Sequence, residues 1–300
     1  MIFMPLENIK EELDRCERLY SNFNEARPFI KAVFKSVYNY FESNPVTPIP
    51  AVEEDKATDM IRNGESLELN PEIETRIVVD LLLSISEPMM EANPKLKKTV
   101  QQLKEHLEQF SADAPALINK EKVKSLQTLL IKETVLEQDM GTFLFSIMLS
   151  SLYRQHLYKT AEVLRTDLWE GGNCPLCGEK PHFGMLRPED GAKQLECWLC
   201  GTRWLHTRIK CPYCNNEEQE DLGYFTVENQ EICRINYCQR CCQYYKIIDA
   251  RKFSGNSVDV ALVIHNLATL SHDLLARQEG FKPGSGLEWV NENEIADRED

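Results

Sequence analysis

Four Cys-x-x-Cys pairs follow one another in the later part of the chain: Cys174/Cys177, Cys197/Cys200, Cys211/Cys214 and Cys238/Cys241. A Cys-x-x-Cys turn points both sulfurs the same way and turns backbone N–H groups toward them. Two such knuckles placed face to face build one tetrahedron of sulfur, so eight thiolates suit two four-coordinate metal centres. Each centre also dictates local fold, because a hairpin must carry one knuckle back to the other. Residues 178–196 separate the first two knuckles and residues 215–237 the last two, and either stretch can hold a hairpin. Residues 201–210 suit one strand leading from the first ribbon into the second. The spacing therefore predicts sequential pairing, over an interleaved arrangement that must close longer loops.

The surroundings of the sulfurs agree. Pro175 and Gly178 frame the first knuckle, Gly201 follows the second and Pro212 sits inside the third. Glycine after a knuckle accepts a positive φ, and proline fixes φ where no donor is needed. Trp198, Trp204, Tyr224, Phe225, Tyr237, Tyr244 and Tyr245 crowd the same region, and residues 222–227 and 244–248 read as short strands. A disulfide scaffold is the competing use of so many cysteines. Residues 1–20 carry Glu7, Glu11, Glu12, Asp14 and Glu17 and no long apolar run, so they do not read as a secretory signal. A cytoplasmic location follows as an expectation, and there clustered cysteines bind metal more often than they bridge. A dithiol oxidoreductase fits four regularly spaced knuckles less well than two closed four-sulfur sites do.

The net charge of −14 argues against a nucleic-acid binder, which relies on an excess of Lys and Arg. No stretch approaches the roughly 18 apolar residues of a membrane span; residues 77–85 come nearest and are broken by Asp80. Residues 6–24, 29–43, 71–87, 116–132 and 136–168 carry apolar positions at helical spacing, with breaks at 44–50, 87–94 and 111–115. Residues 142–152 are apolar all round and read as the buried central helix of a bundle. Gly171 and Gly172 in the 169–173 linker are read as a helix stop and a source of flexibility. A last helix is expected over 258–278, with Gly280 as its stop.

The fold class expected is α+β. A helical domain at 1–168 precedes two tandem, small rubredoxin-like or zinc-ribbon modules at 169–210 and 211–255. A C-terminal helix at 256–282 and a flexible acidic tail at 283–300 complete the chain. Cys242 and Cys233 are extra thiols; Cys242 could take the place of Cys241 as a ligand, though the x-x spacing favours Cys241, and Cys16 is read as a core residue. His206 is read as an exposed strand histidine beside Trp204 and Arg208, and these three form the expected partner-binding face. Arg208 and Lys210 either offset the charge of a four-thiolate centre or solvate the ribbon. His265 and His272 are expected on a helix surface. The sequence holds no Ser/His/Asp arrangement, phosphate-cradling glycine loop or HExxH, and it is read as non-enzymatic.

Three stretches resemble one family. Cys174, Pro175, Cys177, Gly178 and Pro181 open a Cys-Pro-x-Cys-Gly-x-x-Pro run. Trp204, Arg208 and Cys211 stand in RWLHTRIKCPYC, and NLATLSHDLLARQEGF runs from Asn266 to Phe281. Together with a helical N-terminal region, these are similar to the formate dehydrogenase accessory proteins of the FdhE family. The resemblance is specific from residue 174 to about 281. It departs at Asn266, where the family often has an acidic residue, and at Cys242, which directly follows the fourth knuckle. The resemblance implies a cytoplasmic maturation factor that binds the catalytic subunit of a molybdenum or tungsten formate dehydrogenase. It also implies rubredoxin-like iron, preferred over zinc, in two tetrahedral sites held by the eight cysteines. A rubredoxin-type electron carrier is the alternative function.

Overall fold

The computed structural model of the chain describes residues 6–20, 23–92, 94–133, 135–228, 230–253 and 261–284. Seven helices precede the first knuckle among them: α1 (Leu6–Leu19), α2 (Phe23–Ser43), α3 (Glu54–Arg62), α4 (Thr75–Ala92), α5 (Lys97–Asp113), α6 (Lys120–Lys132) and α7 (Gln138–Val163). A two-residue strand pair, β1 (Ile73–Glu74) with β2 (Leu117–Ile118), ties the entry of α4 to the segment before α6. Val78, Leu81, Leu82 and Ile85 recur at helical spacing on α4, which packs against α2, α5 and α7. Helix α7, whose apolar run 142–152 is expected to be buried, packs against α4 and α6, and Leu144, Phe145, Met148, Leu152 and Tyr153 are all buried.

Two helices were not expected. Helix α5 buries only the narrow stripe Val100, Leu103 and Leu107 in a polar background, and α3 buries only Ala57 and Ile61. Helix α4 also continues through Pro88 to Ala92, past the expected break.

The cysteine-rich region is one sheet. Strands β3 (Pro181–Leu186), β4 (Lys193–Cys197) and β5 (Arg203–Leu205) form the first antiparallel ribbon. Strands β6 (Leu222–Thr226), β7 (Cys233–Cys238) and β8 (Gln243–Asp249) form the second. The two join where β3 and β8 run parallel, with Phe183 opposite Lys246 and Leu186 opposite Asp249. The order is β5-β4-β3-β8-β7-β6, and β9 (Lys282–Pro283) adds to β8.

The helical region and the ribbons share a hydrophobic core. Residues 67–69 lie along the first knuckle, where Leu67 N donates to Pro175 O at 2.9 Å and Leu69 N to Leu176 O at 3.0 Å. Arg154 of α7 pairs with the buried Glu196 of β4 at 3.1 Å, and Lys120 of α6 pairs with Glu179. The linker is likewise fixed. Trp169 Nε1 donates to Asn173 O at 2.8 Å, and Trp204 Nε1 to Gly171 O at 3.1 Å. A Cβ on Gly171 would meet the Trp169 ring at 2.3 Å, and one on Gly172 would meet Pro212 O at 2.2 Å. These glycines are there for close approach, so the reading of the linker as flexible is corrected.

The expected C-terminal helix is two: α8 (Leu262–Ala268) and α9 (Leu270–Gln278), meeting at Thr269. The start of the expected span, 258–260, and nearly all of the acidic tail lie outside the described residues. The break is held by Lys246, whose buried ammonium donates to Asn266 O (3.0 Å), Thr269 O (3.3 Å) and Asp273 Oδ2 (2.6 Å). Carbonyls freed at the break thereby gain a charged donor.

His265 and His272 are fully buried, contrary to the helix-surface reading. His265 sits between Glu12 Oε1 (2.7 Å) and Tyr20 Oη (2.8 Å), clasping α8 to α1 across the whole length of the chain.

Burial holds the pKa of His182, His206 and His272 down at about 4, and lowers that of His156 and His265. Unfolded histidine binds its proton near pH 6.5. Between about 6.5 and 4 the unfolded chain therefore binds more protons, and stability falls as pH falls, by up to about 1.4 kcal/mol per pH unit for each histidine. Urea midpoints should drop steadily over that window, and His272→Gln should flatten the slope. A flat profile in the unaltered chain would contradict the buried, neutral state of these imidazoles.

Candidate metal centres

The four knuckles share one backbone turn. In the first three, the leading cysteine donates its N–H to the carbonyl five residues on: Cys174 to Glu179 (2.7 Å), Cys197 to Thr202 (3.0 Å) and Cys211 to Asn216 (2.9 Å). The residue four places on donates back to the cysteine carbonyl, from Gly178 (3.0 Å), Gly201 (3.2 Å) and Asn215 (3.1 Å). In the fourth, Cys238 faces Gln243 across the hairpin of β7 and β8. The residue four places after the leading cysteine is left-handed every time: φ is +75° at Gly178, +72° at Gly201, +58° at Asn215 and +55° at Cys242. Cys242 thus occupies the turn position that glycine fills elsewhere. Its exposed Sγ lies 3.3 Å from Gln239 O, while Cys241 enters the sulfur group.

Sequential pairing is what the fold adopts. Cys174, Cys177, Cys197 and Cys200 form one quartet, and Cys211, Cys214, Cys238 and Cys241 the other. In the first, Sγ–Sγ distances are 3.5 Å for Cys174–Cys200, Cys177–Cys197 and Cys177–Cys200. In the second, Cys211–Cys241 and Cys214–Cys238 are 3.7 Å apart. These separations are far beyond a disulfide bond of about 2 Å. Sulfurs lying about 2.3 Å from a central ion at the tetrahedral angle stand about 3.8 Å apart, close to what both groups show. Backbone donors reach the sulfurs as well, from Leu176 N to Cys174 Sγ and from Tyr213 N to Cys211 Sγ, each at 3.4 Å.

Electrostatics points the same way. Burial raises the pKa of the Cys200 thiol, but hydrogen bonds from Cys174, Cys177, Cys197 and Thr202 outweigh it and hold the group well below its ordinary value. Cys197, buried against Cys174, Cys177 and Cys200, is pushed far up. Four thiols this close cannot all ionise unless a cation stands among them. The donor set therefore fits a tetrahedral metal ion of the soft or borderline kind. The quartets differ in access. All four cysteines of the first are buried, whereas in the second Cys214 is exposed and Cys241 half-buried.

The expected contact residues fare unevenly. Trp204 is 1% exposed and bonded to the linker, and His206 is buried just beyond the end of β5, with Nδ1 bonded to Thr207 O at 3.0 Å. The exposed-strand reading of both is corrected; Arg208 alone of the three is exposed. Cys233 is buried in β7, its thiol pushed up to about 12 by burial. Cys16 is core, as expected, and Glu12, Cys16 and His265 bring ligand atoms within 4.8 Å of one another. Glu12 and His265 are already bonded to each other, to Ala261 N and to Tyr20, so that trio is a structural clasp. Sequence reasoning missed it because its members come from opposite ends of the chain.

The FdhE central-domain family model matches residues 173–208, which hold the first quartet and the connector to the second. "Protein FdhE homolog" of Aquifex aeolicus is 34% identical over 173 residues, covering 54% of this chain and 60% of that protein. "Protein FdhE" of Salmonella paratyphi A is 35% identical over 115 residues, 37% of this chain and 35% of that protein. The crystal structure of the FdhE protein from Pseudomonas aeruginosa superposes with a TM-score of 0.58 at 18% identity, over 93% of this chain and 94% of that one. The chain is thus similar to the FdhE proteins, most specifically around the first quartet. The matched stretches span about 60% of the Aquifex relative and about a third of the Salmonella one, and at 18% identity the Pseudomonas FdhE likeness carries the fold alone.

Three outcomes follow from the geometry. Cys242→Gly should leave bound metal unchanged and add about 1 kcal/mol of stability by relieving a left-handed non-glycine residue; Cys241→Ser should empty the second site. Metal analysis with urea unfolding reads both, and loss of metal in the Cys242 variant would reverse the ligand assignment. Under a chelator, the second quartet should release its metal before the first, visible as two phases of which only the slower survives in Cys241→Ser.

Proposed function

We propose that the chain is a cytoplasmic accessory protein for the maturation of a molybdenum or tungsten formate dehydrogenase, acting by binding its catalytic subunit. The observation that carries this reading is the pair of four-cysteine groups at tetrahedral spacing within a chain similar to the FdhE proteins. Cys174, Cys177, Cys197 and Cys200 would hold one ion, and Cys211, Cys214, Cys238 and Cys241 the other. The ions are proposed to be iron, on the family resemblance. Bound there, a metal supplies the positive charge that lets four thiolates coexist, and with it folding free energy on the order of 10 kcal/mol per site. The chain's own residues shape each site: the left-handed turn residues aim the sulfurs, and Thr202 and Asn216 lie within reach of Cys200 and Cys238.

No helix among the described residues is long and apolar enough to cross a membrane, which accords with a cytoplasmic protein. The chain is proposed to have no turnover of its own. The electron-carrier alternative needs an ion cycling at an accessible potential, and the FdhE relatives do not favour it.

Capture experiments test this directly. The tagged, metal-loaded chain should retain the immature catalytic subunit from cell extract. Cells lacking the protein should still make that polypeptide but in inactive form. Normal formate dehydrogenase activity in such cells would sink the reading. A visible spectrum with ferric thiolate bands, together with metal analysis, separates iron from zinc.

A further inference from the structure

The two faces of the second ribbon are unlike. One carries Ile235 and Tyr244 with Phe225 and Tyr237, and is packed by Ala276 and Leu275 of α9 and by Phe281. Side chains alternate along strands, so the other face carries the cross-strand row Tyr224, Asn236 and Tyr245, flanked by Arg234. A groove of about 380 Å³ lies on that face, walled by the connector that carries Arg208 and Lys210. This volume is within the range of ligand-binding clefts.

The connector wall is fixed from below. The buried ammonium of Lys193 lies 3.3 Å from the carbonyls of both Arg208 and Lys210 and 3.2 Å from Tyr245 Oη.

Arg208, Lys210 and Arg234 line the groove beside Cys211 and Cys238 of the second quartet, and no carboxylate lines it. Lys210 is engaged by Glu217 at 3.1 Å, and Asp249, the carboxylate acting on Arg234, is held by Arg251. The Arg234 guanidinium lies over the Tyr224 ring, 4.8 Å from its centroid, while its Nε and the Asn236 Oδ1 are buried with no hydrogen-bond partner. Buried polar atoms normally find partners, and an orphaned donor and acceptor on one face mark a place where a water, an ion or a ligand is taken up. Tyr224 is 59% exposed, a large aromatic at the rim. Strand β6 has a strand neighbour on one side only among the described residues, so its outer backbone edge is open.

We infer that this groove is a docking site for an extended acidic peptide segment of the client, its carboxylates on Arg208 and Arg234 and its backbone along β6. A peptide supplies both an acceptor for Arg234 and an N–H for Asn236, which a phosphate group alone does not. Adding a strand to an open edge is an established mode of peptide capture, with main-chain bonds giving affinity and side chains giving specificity. The inference rests on the proposal that the chain binds a client.

The test uses the full, metal-loaded chain and two fluorescein-labelled octapeptides, one alternating Glu and Thr, the other Gln and Thr. The Glu peptide should bind at least about tenfold more tightly than the Gln peptide, with affinity falling as salt rises. Arg208→Glu together with Arg234→Gln should weaken it at least about tenfold at unchanged metal content. If the double variant does not fold, Arg208→Glu alone, at an exposed position, carries the comparison. Equal binding of the two peptides overturns the groove, as does a mononucleotide or inorganic phosphate binding where the Glu peptide does not. Client capture separates the two readings. Capture undiminished by Arg208→Glu overturns the groove and leaves the accessory role standing, whereas no capture by the unaltered chain overturns that role itself.

Discussion

Four cysteine sulfurs within 4.8 Å of one another, three pairs of them at 3.5 Å, cannot all be thiolates in a buried pocket unless a cation shares it. Much of the later half of the chain is arranged to create and hold that situation. The knuckle turn points the sulfurs inward, and a left-handed residue closes it each time. The hairpin loops carry one knuckle back to the other, and the joined ribbons leave little freedom for either quartet to relax. The first quartet is held further by the helical region, since residues 67–69, Lys120 and Arg154 all bear on it or on its hairpin. Charge and packing thus act on the same few residues.

What could be read in the sequence was what is local. Cysteine spacing chose the hairpins and the sequential pairing, and the glycines after two knuckles signalled the turn. The apolar run at 142–152 marked a buried helix. Contacts between residues far apart in sequence were not legible. Trp204 was read as exposed because an aromatic on a short strand beside an arginine looks like a surface anchor, yet the linker folds back to accept its N–H. His265 and His272 looked like helix-surface residues because their burial depends on α1 and on the ribbon packing over α8 and α9. The break at Thr269 depends on the ammonium of Lys246, from another element. Pairing of β3 with β8 had no signal either, since parallel register between separate ribbons leaves no turn residue to mark it.

The two ribbons, alike in their knuckles, are set apart by what packs on them. The first has helices against its hairpin, its sulfurs are all buried, and its Glu196 and Glu179 are neutralised by Arg154 and Lys120 from the helical region. It is continuous with the body of the protein. The second is packed by α9 on one face, has Cys214 exposed and Cys241 half-buried, and ends at β6, which has a strand neighbour on one side only among the described residues. A metal site that is only structural gains nothing from such exposure, because solvent access makes ligand exchange easier and weakens the low-dielectric attraction between thiolates and ion. Exposure at the second quartet is therefore a cost without a structural return. It becomes intelligible if that face is meant to be covered by another chain. The unpaired Arg234 and Asn236 atoms beside Cys238 carry the same cost, and a partner seated there would remove both at once.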